Sequence, residues 1–230
     1  MKSLKLFCAI SLIFFAAIRA QALSFSTSVP PAIKTQMLDD LLMFQNIQGN
    51  NATPLYKSIY SGALNGQRLT QFFNSRIQMV DMNDCGGGPA VACVRPYIDS
   101  RIMWLTPFYL GLQIPQVYRL SILIHESRHT EKSNRYWNHV NCPTPFKDIH
   151  GDDIRGILSH VLLQGMAACD QTPYGAYGSQ AILLKNIELH CSNCTEKMKM
   201  DAQIFGDDAM MRLSDARALQ ELNLDVQNSR

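Results

Sequence analysis

Apolar residues recur at helical spacing from Ala32 to Ile47, at Ile33, Met37, Leu41, Leu42 and Phe44, with polar residues between them. That stripe predicts a helix with one buried face. Residues 23–31 (LSFSTSVPP) read as an extended leader before it, and 49–54 (GNNATP) as the loop that follows. Weaker patterns predict helices from Pro54 to Ser61 and near Gln67 to Phe73. Ile77 to Met82 and Tyr97 to Leu105 carry strand-like sequence, the second ending at Thr106-Pro107, and the loop from Cys85 to Cys93 joins them. From Pro115 the pattern changes: Val117, Leu120, Ile122, Leu123 and Ile124 make a segment apolar almost all round, which predicts a helix running through a core. Pro115 suits the first turn, where its missing N–H is not needed.

Beyond a polar stretch, Thr130 to Asn141, Asp152-Asp153 can open a helix reaching Met166, its acids at the positive end. Gln171 to Gly178 is rich in turn residues and Ser179 to His190 is again helical. Thr195 is placed to cap a long last helix to about Leu222, with Gly206 as a point of disturbance. There are no repeats or low-complexity segments. The expectation is an α+β fold, mainly helical with a small sheet, forming a single domain over residues 23–230.

The start of the chain stands apart. Lys2 and Lys5 precede an apolar stretch from Leu6 to Ile18 broken only by Ser11, and Ala20-Gln21-Ala22 has the form of a cleavage site. Residues 1–22 thus read as a signal peptide that exports the chain to the periplasm or the extracellular space. The stretch is short for a membrane span and no later run approaches one, so no transmembrane segment is expected in the mature chain. Loss of Lys2, Lys5 and Arg19 turns 21 basic against 19 acidic residues into 18 against 19, and the formal net charge of +2 into −1. Nothing in this balance offers a footprint for nucleic acid or an anionic membrane.

Six cysteines remain in the mature chain: Cys85, Cys93, Cys142, Cys169, Cys191 and Cys194. An even number in an exported protein predicts disulfides. Proximity pairs Cys85 with Cys93 and Cys191 with Cys194, which leaves Cys142 with Cys169. A structural zinc site built on Cys191 and Cys194 is the competing arrangement.

The densest chemistry lies at the end of the apolar helix, where His125-Glu126-Ser127-Arg128-His129 forms an HExxH pattern. Given six His and five Glu in 230 residues, chance produces the pattern in roughly a few per thousand such chains. Two imidazoles four residues apart lie about 40° apart around a helix and one turn along it, so both rings can reach one metal ion. Glu126 is then placed to accept a proton from a metal-bound water. A catalytic zinc usually takes three protein ligands, so a third is required. His139 is ten residues beyond His129, about 15 Å on a continuous helix. It can bind only if the helix stops first, for which Ser133-Asn134 offers a place. His150, His160 and the acids after the motif are further candidates, and Asp170 is the strongest of them. A Cys142–Cys169 bridge would hold their Cα atoms about 5.5–6 Å apart, bringing His139 and Asp170 together. One can then bind the metal while the other orients a ligand. His139 is slightly favoured, since an imidazole suits zinc.

The HExRH sequence, His139-Val140-Asn141-Cys142-Pro143 and Ala168-Cys169-Asp170 with Tyr174-Gly175-Ala176-Tyr177 following resemble the zincin metallopeptidases. An Asp shortly before Tyr-Gly, downstream of HExxH, is similar to the aspzincin (deuterolysin-like) pattern, although the Gly-Thr that precedes the Asp in that family is absent here. The same set also resembles a group of uncharacterised exported bacterial proteins with an HExRH motif. The likeness spans roughly Leu120 to Gly178. It implies a zincin-like domain with an HExxH active-site helix, Zn2+ as cofactor, Asp170 as third ligand and Glu126 as base.

The expected function is a secreted or periplasmic zinc-dependent hydrolase, most simply a metallopeptidase acting on a peptide or protein. Tyr177 or Tyr174 would donate to the oxyanion, and the strand ending at Thr106 would offer its edge to an extended peptide. The alternative is an exported envelope protein that binds metal without turnover, or is held by disulfides alone. Arg128, one turn after Ile124, predicts a buried guanidinium paired with Asp170, Asp152 or Asp153. His150, His160 and His190 read as ordinary histidines, and Met198, Met200, Met210 and Met211 as helix packing.

Overall fold

A computed structural model describes residues 23–86, 90–111, 114–132 and 138–229; the signal-like segment and Ser133-Asn134 lie outside them. The chain runs β1 (Ser24–Phe25), α1 (Pro31–Asn46), α2 (Pro54–Tyr60), α3 (Gly66–Asn74), β2 (Met79–Met82), β3 (Ala92–Arg95), α4 (Pro96–Asp99) and β4 (Ser100–Leu105). It continues through α5 (Phe108–Gly111), α6 (Gln116–His129), β5 (Val140–Asn141), β6 (Ala167–Cys169), α7 (Ala176–His190), α8 (Glu196–Met211) and α9 (Ala216–Gln227). The fold is α+β and mainly helical. Among the described residues no helix is long and apolar enough to cross a membrane.

Helix α6 is the axis of the molecule. Pro115 stands at its N-cap, and Leu120, Leu123 and Ile124 are fully buried among α1, α3, α7 and α8. Its apolar girth leaves no face for solvent, as the sequence required. A buried ion pair fixes the first turns. Asp40 of α1, fully buried, accepts from Arg119 Nε at 2.7 Å, from Arg119 Nη2 at 2.8 Å and from the Tyr109 hydroxyl at 2.8 Å. Two parallel N–H···O bonds give this pair its fixed geometry.

The main sheet has strand order β1-β2-β4-β3, with β1, β2 and β4 parallel and β3 antiparallel to β4. The extended leader therefore contributes a sheet strand, tied by Ser26 and Ser28 hydroxyls to Asp81 of β2. Residues 97–105 divide between the short α4 and the strand β4, which Pro96 at a first helical position permits. Strand β4 is interior, between β2 and β3, so it has no free edge for a peptide. The edge strand beside α6 is β3.

Two expected helices take another form. Residues 152–166 make turns and isolated bridges, Lys147 with Asp153 and Arg155 with Leu162, around a small core of Cys142, Phe146, Ile154, Leu163 and Cys169. His160 at φ +55° and Gly165 at φ +73° are left-handed positions that no α-helix accommodates. The long last helix is two helices. Leu213 leaves α8 to bridge Asp170, and Asp215 caps α9 through the N–H groups of Arg217 and Ala218. Gly206 sits within α8, where a Cβ would lie 3.3 Å from Leu184 Cβ; its bareness serves the packing of α8 on α7. Thr195 caps α8 as expected.

The disulfides are Cys85–Cys93, Cys142–Cys169 and Cys191–Cys194. Cys191 and Cys194 are bonded to each other, so they are not thiolate ligands for a structural zinc.

Arg119→Met is expected to cost about 3–5 kcal/mol of unfolding free energy in urea, because it strands a buried carboxylate, whereas Asp40→Leu/Arg119→Met should cost less than the single change. Equal midpoints for the wild type and Arg119→Met would remove the pair from its structural role.

Candidate metal centre

Four consecutive polar residues, His125 to Arg128, are buried at the end of α6, each no more than 7% exposed. Successive residues point about 100° apart, so each must be satisfied by a different neighbour. His125 turns to α7, where its Nδ1 is 3.0 Å from Gln180 Oε1. Glu126 turns to β3 and accepts from the Val94 backbone N–H. Ser127 donates back to the Leu123 carbonyl at 2.7 Å. Arg128 pairs with Glu131 at 2.6 Å and donates to the Tyr174 carbonyl at 2.6 Å. The carboxylate for Arg128 is therefore Glu131, three residues along its own chain, and not Asp170, Asp152 or Asp153. The local geometry makes a distant acid unnecessary.

The helix ends at His129, with Thr130 Oγ1 donating to the Ser127 carbonyl at 2.8 Å. The helix thus stops ten residues before His139. The Cys142–Cys169 bridge, with Cα atoms 5.0 Å apart, sits beside the β5–β6 pair, in which Val140 faces Cys169. His139 and Asp170 directly flank this clamp in sequence, and their side chains meet: His139 Nδ1 lies 2.9 Å from Asp170 Oδ1.

The three rings of His125, His129 and His139 converge, with one nitrogen from each within 4.8 Å of the others, a set able to hold a metal ion. His125 Nε2 lies 3.2 Å from both His129 Nε2 and His139 Nε2. Asp170 contributes no atom to this set. Its Oδ1 faces His139, and its Oδ2 accepts from the Tyr177 N–H at 2.7 Å and the Gly178 N–H at 3.3 Å. It therefore holds His139 from behind and caps α7 together. Gly175 makes this possible, since a Cβ there would lie 2.3 Å from Asp170 Oδ2.

Hydrogen bonding fixes where the ring protons are. Ser121 Oγ donates to the Tyr118 carbonyl at 2.7 Å, so it accepts from Gln180 Nε2 at 2.9 Å. That orientation aims Gln180 Oε1 at His125 Nδ1, which must carry the proton. Asp170 imposes the same tautomer on His139. The two Nε2 atoms then face one another across 3.2 Å. A cation in that position converts repulsion into coordination, and the oriented imidazoles are the arrangement that metal sites use. Burial, reinforced by the His129 and His139 rings, holds the His125 pKa well below the ordinary histidine value, which keeps its ring neutral and able to ligate.

Glu126 and the three histidines line one cavity of about 830 Å3, together with β3, the 156–159 turn, Tyr177 and Arg212. Burial pushes the Glu126 carboxyl up to about 8, opposed by the Val94 N–H. A positive charge among the imidazoles would draw it down again. The Tyr177 ring stacks on His139 at 4.6 Å and meets His125 edge-on at 4.4 Å, while its hydroxyl accepts from Arg212 Nη1 at 2.9 Å. Tyr174 supplies its carbonyl to Arg128 and does not line the cavity. His150 and His160 are exposed and His190 is half-buried, all outside the cluster. Gln180 and Arg212 have no motif to mark them in the sequence. Gln180 does interrupt an apolar stretch of α7 at a buried position, which is a weak sign.

No protein-family model, curated protein or solved structure matches the chain.

Gln180→Leu is expected to weaken binding of an added divalent metal ion about 10–100-fold, in competition with a chromophoric chelator, because His125 loses the acceptor that fixes its tautomer. Gln180→Glu, which keeps the acceptor, should bind at least as tightly as the wild type. Equal affinity in all three proteins would refute the assigned role of Gln180.

Proposed function

We propose that the protein is a metal-dependent hydrolase and, more narrowly, a zinc peptidase of zincin-like type that acts after export. The observation that carries this is the convergence of one ring nitrogen from each of three histidines, two of them oriented from behind by Gln180 and Asp170, beside a buried carboxylate in an open cavity. Three converging imidazoles on the wall of an open cavity suit zinc, whose catalytic sites keep an open position. His125, His129 and His139 would hold the ion. When bound, zinc supplies Lewis acidity toward water and toward a carbonyl oxygen.

The rest is done by the chain. The Glu126 carboxylate takes a proton from water and returns it to the leaving nitrogen, a transfer favoured by a pKa near the working pH. Val94 N–H keeps the carboxyl aimed at the cavity from the β3 side. Tyr177 is pinned between two ligand rings and Arg212, which leaves its hydroxyl hydrogen free to reach an oxyanion. Backbone groups of β3 not used by β4 or Glu126 are available to an extended peptide.

The purified protein is expected to carry one equivalent of zinc by mass spectrometry, and chelation should abolish peptide cleavage. Glu126→Gln should keep the metal while hydrolysis falls about 10²–10⁴-fold. Absence of metal overturns the proposal, and undiminished cleavage by Glu126→Gln removes Glu126 as the base. Zinc retained with no hydrolysis of any peptide in a broad library would leave a metal-binding protein.

A further inference from the structure

Arg212 is the one buried cation of the cavity wall among the described residues. Its side chain is 9% exposed, although it stands at the C-cap of α8 and 83 positions after His129 in the sequence. Its contacts use only part of the guanidinium. Nε pairs with Asp208 at 3.3 Å, Nη1 donates to the Tyr177 hydroxyl at 2.9 Å, and Nη2 has no hydrogen-bond partner among the described residues. A guanidinium carries five N–H donors, so Nη2 keeps donors for a ligand in the cavity that Arg212 lines.

The surroundings show where Nη2 faces. A Cβ built on Gly156 would lie 3.5 Å from Nη2 and 2.5 Å from Ser159 Oγ. Gly156, Ser159 and Arg212 all line the cavity that holds the histidines. The turn bearing Gly156 is tied to α8, because the Ile157 N–H donates to Asp208. The bareness of Gly156 thus lets the Ser159 hydroxyl sit close to Nη2 on the cavity wall. The other lining cation, Arg95, is far more exposed and is engaged by Asn83 and Asp84.

We propose that Arg212 Nη2, with Ser159, is a carboxylate-binding subsite that selects substrates bearing an anionic carboxyl group close to the cleaved bond. This rests on the hydrolase reading above and adds the class of substrate. Arg212 Cζ lies 4.5 Å from the Tyr177 ring centroid, and that ring lies 4.4 Å from His125. Chain spacing is about 3.8 Å per residue, so the carboxylate belongs within two residues of the scissile carbonyl. Ile157 and Leu158 line the cavity beside this position, which favours an apolar side chain on the same residue. Asp208 lies on the Nε side of the guanidinium, which also carries one N–H of Nη2, so the donor left for a ligand is the Nη2 N–H on the edge shared with Nη1. A C-terminal carboxylate and an acidic side chain share the required chemistry.

The test is direct binding, by calorimetry, of three N-acetylated apolar tripeptides to the protein as purified. One has a free C-terminus, one is its C-terminal amide, and one is an amide with Asp in the last place. Repeating the titrations after chelation separates capture by Arg212 from ligation of a peptide carboxylate to metal. The free acid or the Asp amide should bind at least tenfold tighter than the neutral amide, before and after chelation. Whichever does so identifies the source of the carboxylate. Arg212→Gln should bring the three peptides to parity and Arg212→Lys should restore part of the preference. Gly156→Ala, whose Cβ would touch Nη2 and displace the Ser159 hydroxyl beside it, should also reduce the preference. Equal binding of the three peptides to the wild type overturns the subsite, and so does a preference that survives Arg212→Gln. Cleavage of neutral amides as fast as acids by an active enzyme would sink the subsite and leave the hydrolase standing. A carboxylate preference in a protein without metal or turnover would do the reverse.

Discussion

Burying four consecutive polar side chains at the end of one helix is the constraint on which this molecule is built. Helix α6 cannot carry His125, Glu126, Ser127 and Arg128 into the interior unless each finds its own partner, since an unpaired buried polar group costs on the order of kilocalories. The partners come from every side: Gln180 on α7, Val94 on β3, the Leu123 carbonyl within the helix, and Glu131 with the Tyr174 carbonyl beyond it. Each partner also fixes a neighbouring element to α6. The packing of α7 and β3 against the helix, and the turn after it, can therefore be read as solutions to one problem of satisfaction.

The same constraint orders the candidate chemistry. Because Gln180 is itself held by Ser121, the His125 tautomer is decided by a serine one turn earlier in the same helix. Because Asp170 spends its second oxygen on the N-terminus of α7, the orientation of His139 is linked to where that helix begins. The Cys142–Cys169 bridge holds both residues from outside. A group of rings this firmly aimed needs little rearrangement to accept an ion, which is what preorganisation means for a metal site.

Much of the fold was legible in the sequence wherever one residue pattern had one physical reading. The apolar girth from Val117 to Ile124, Thr195 as a helix cap and the three cysteine pairs are of this kind. Legibility failed where a tertiary contact outweighed the local pattern. Residues 152–166 have acids suited to a helix start, yet they wrap a small core around Phe146 and Ile154 with backbone angles that a helix forbids. The last helix was expected to run on to about Leu222 with a disturbance at Gly206, but it breaks where Leu213 and Ser214 pair with Asp170, a contact 43 residues distant in sequence for Leu213. Strand β1 was hidden because two residues of pairing leave no periodicity to detect.

Sequence alone determined that His125, Glu126 and His129 lie on one helix one turn apart, because helical geometry admits no other arrangement for that spacing. It also narrowed the third member to His139 or Asp170, since a disulfide would draw both into one place. The tertiary structure decided between their roles: the imidazole turns inward to the cluster, and the carboxylate stands behind it with both oxygens engaged. It alone brought in Gln180 and Arg212, which come from helices α7 and α8. The physical reason is that spacing along a helix is local, whereas the partners a buried polar group needs can come from any part of the chain that packs against it.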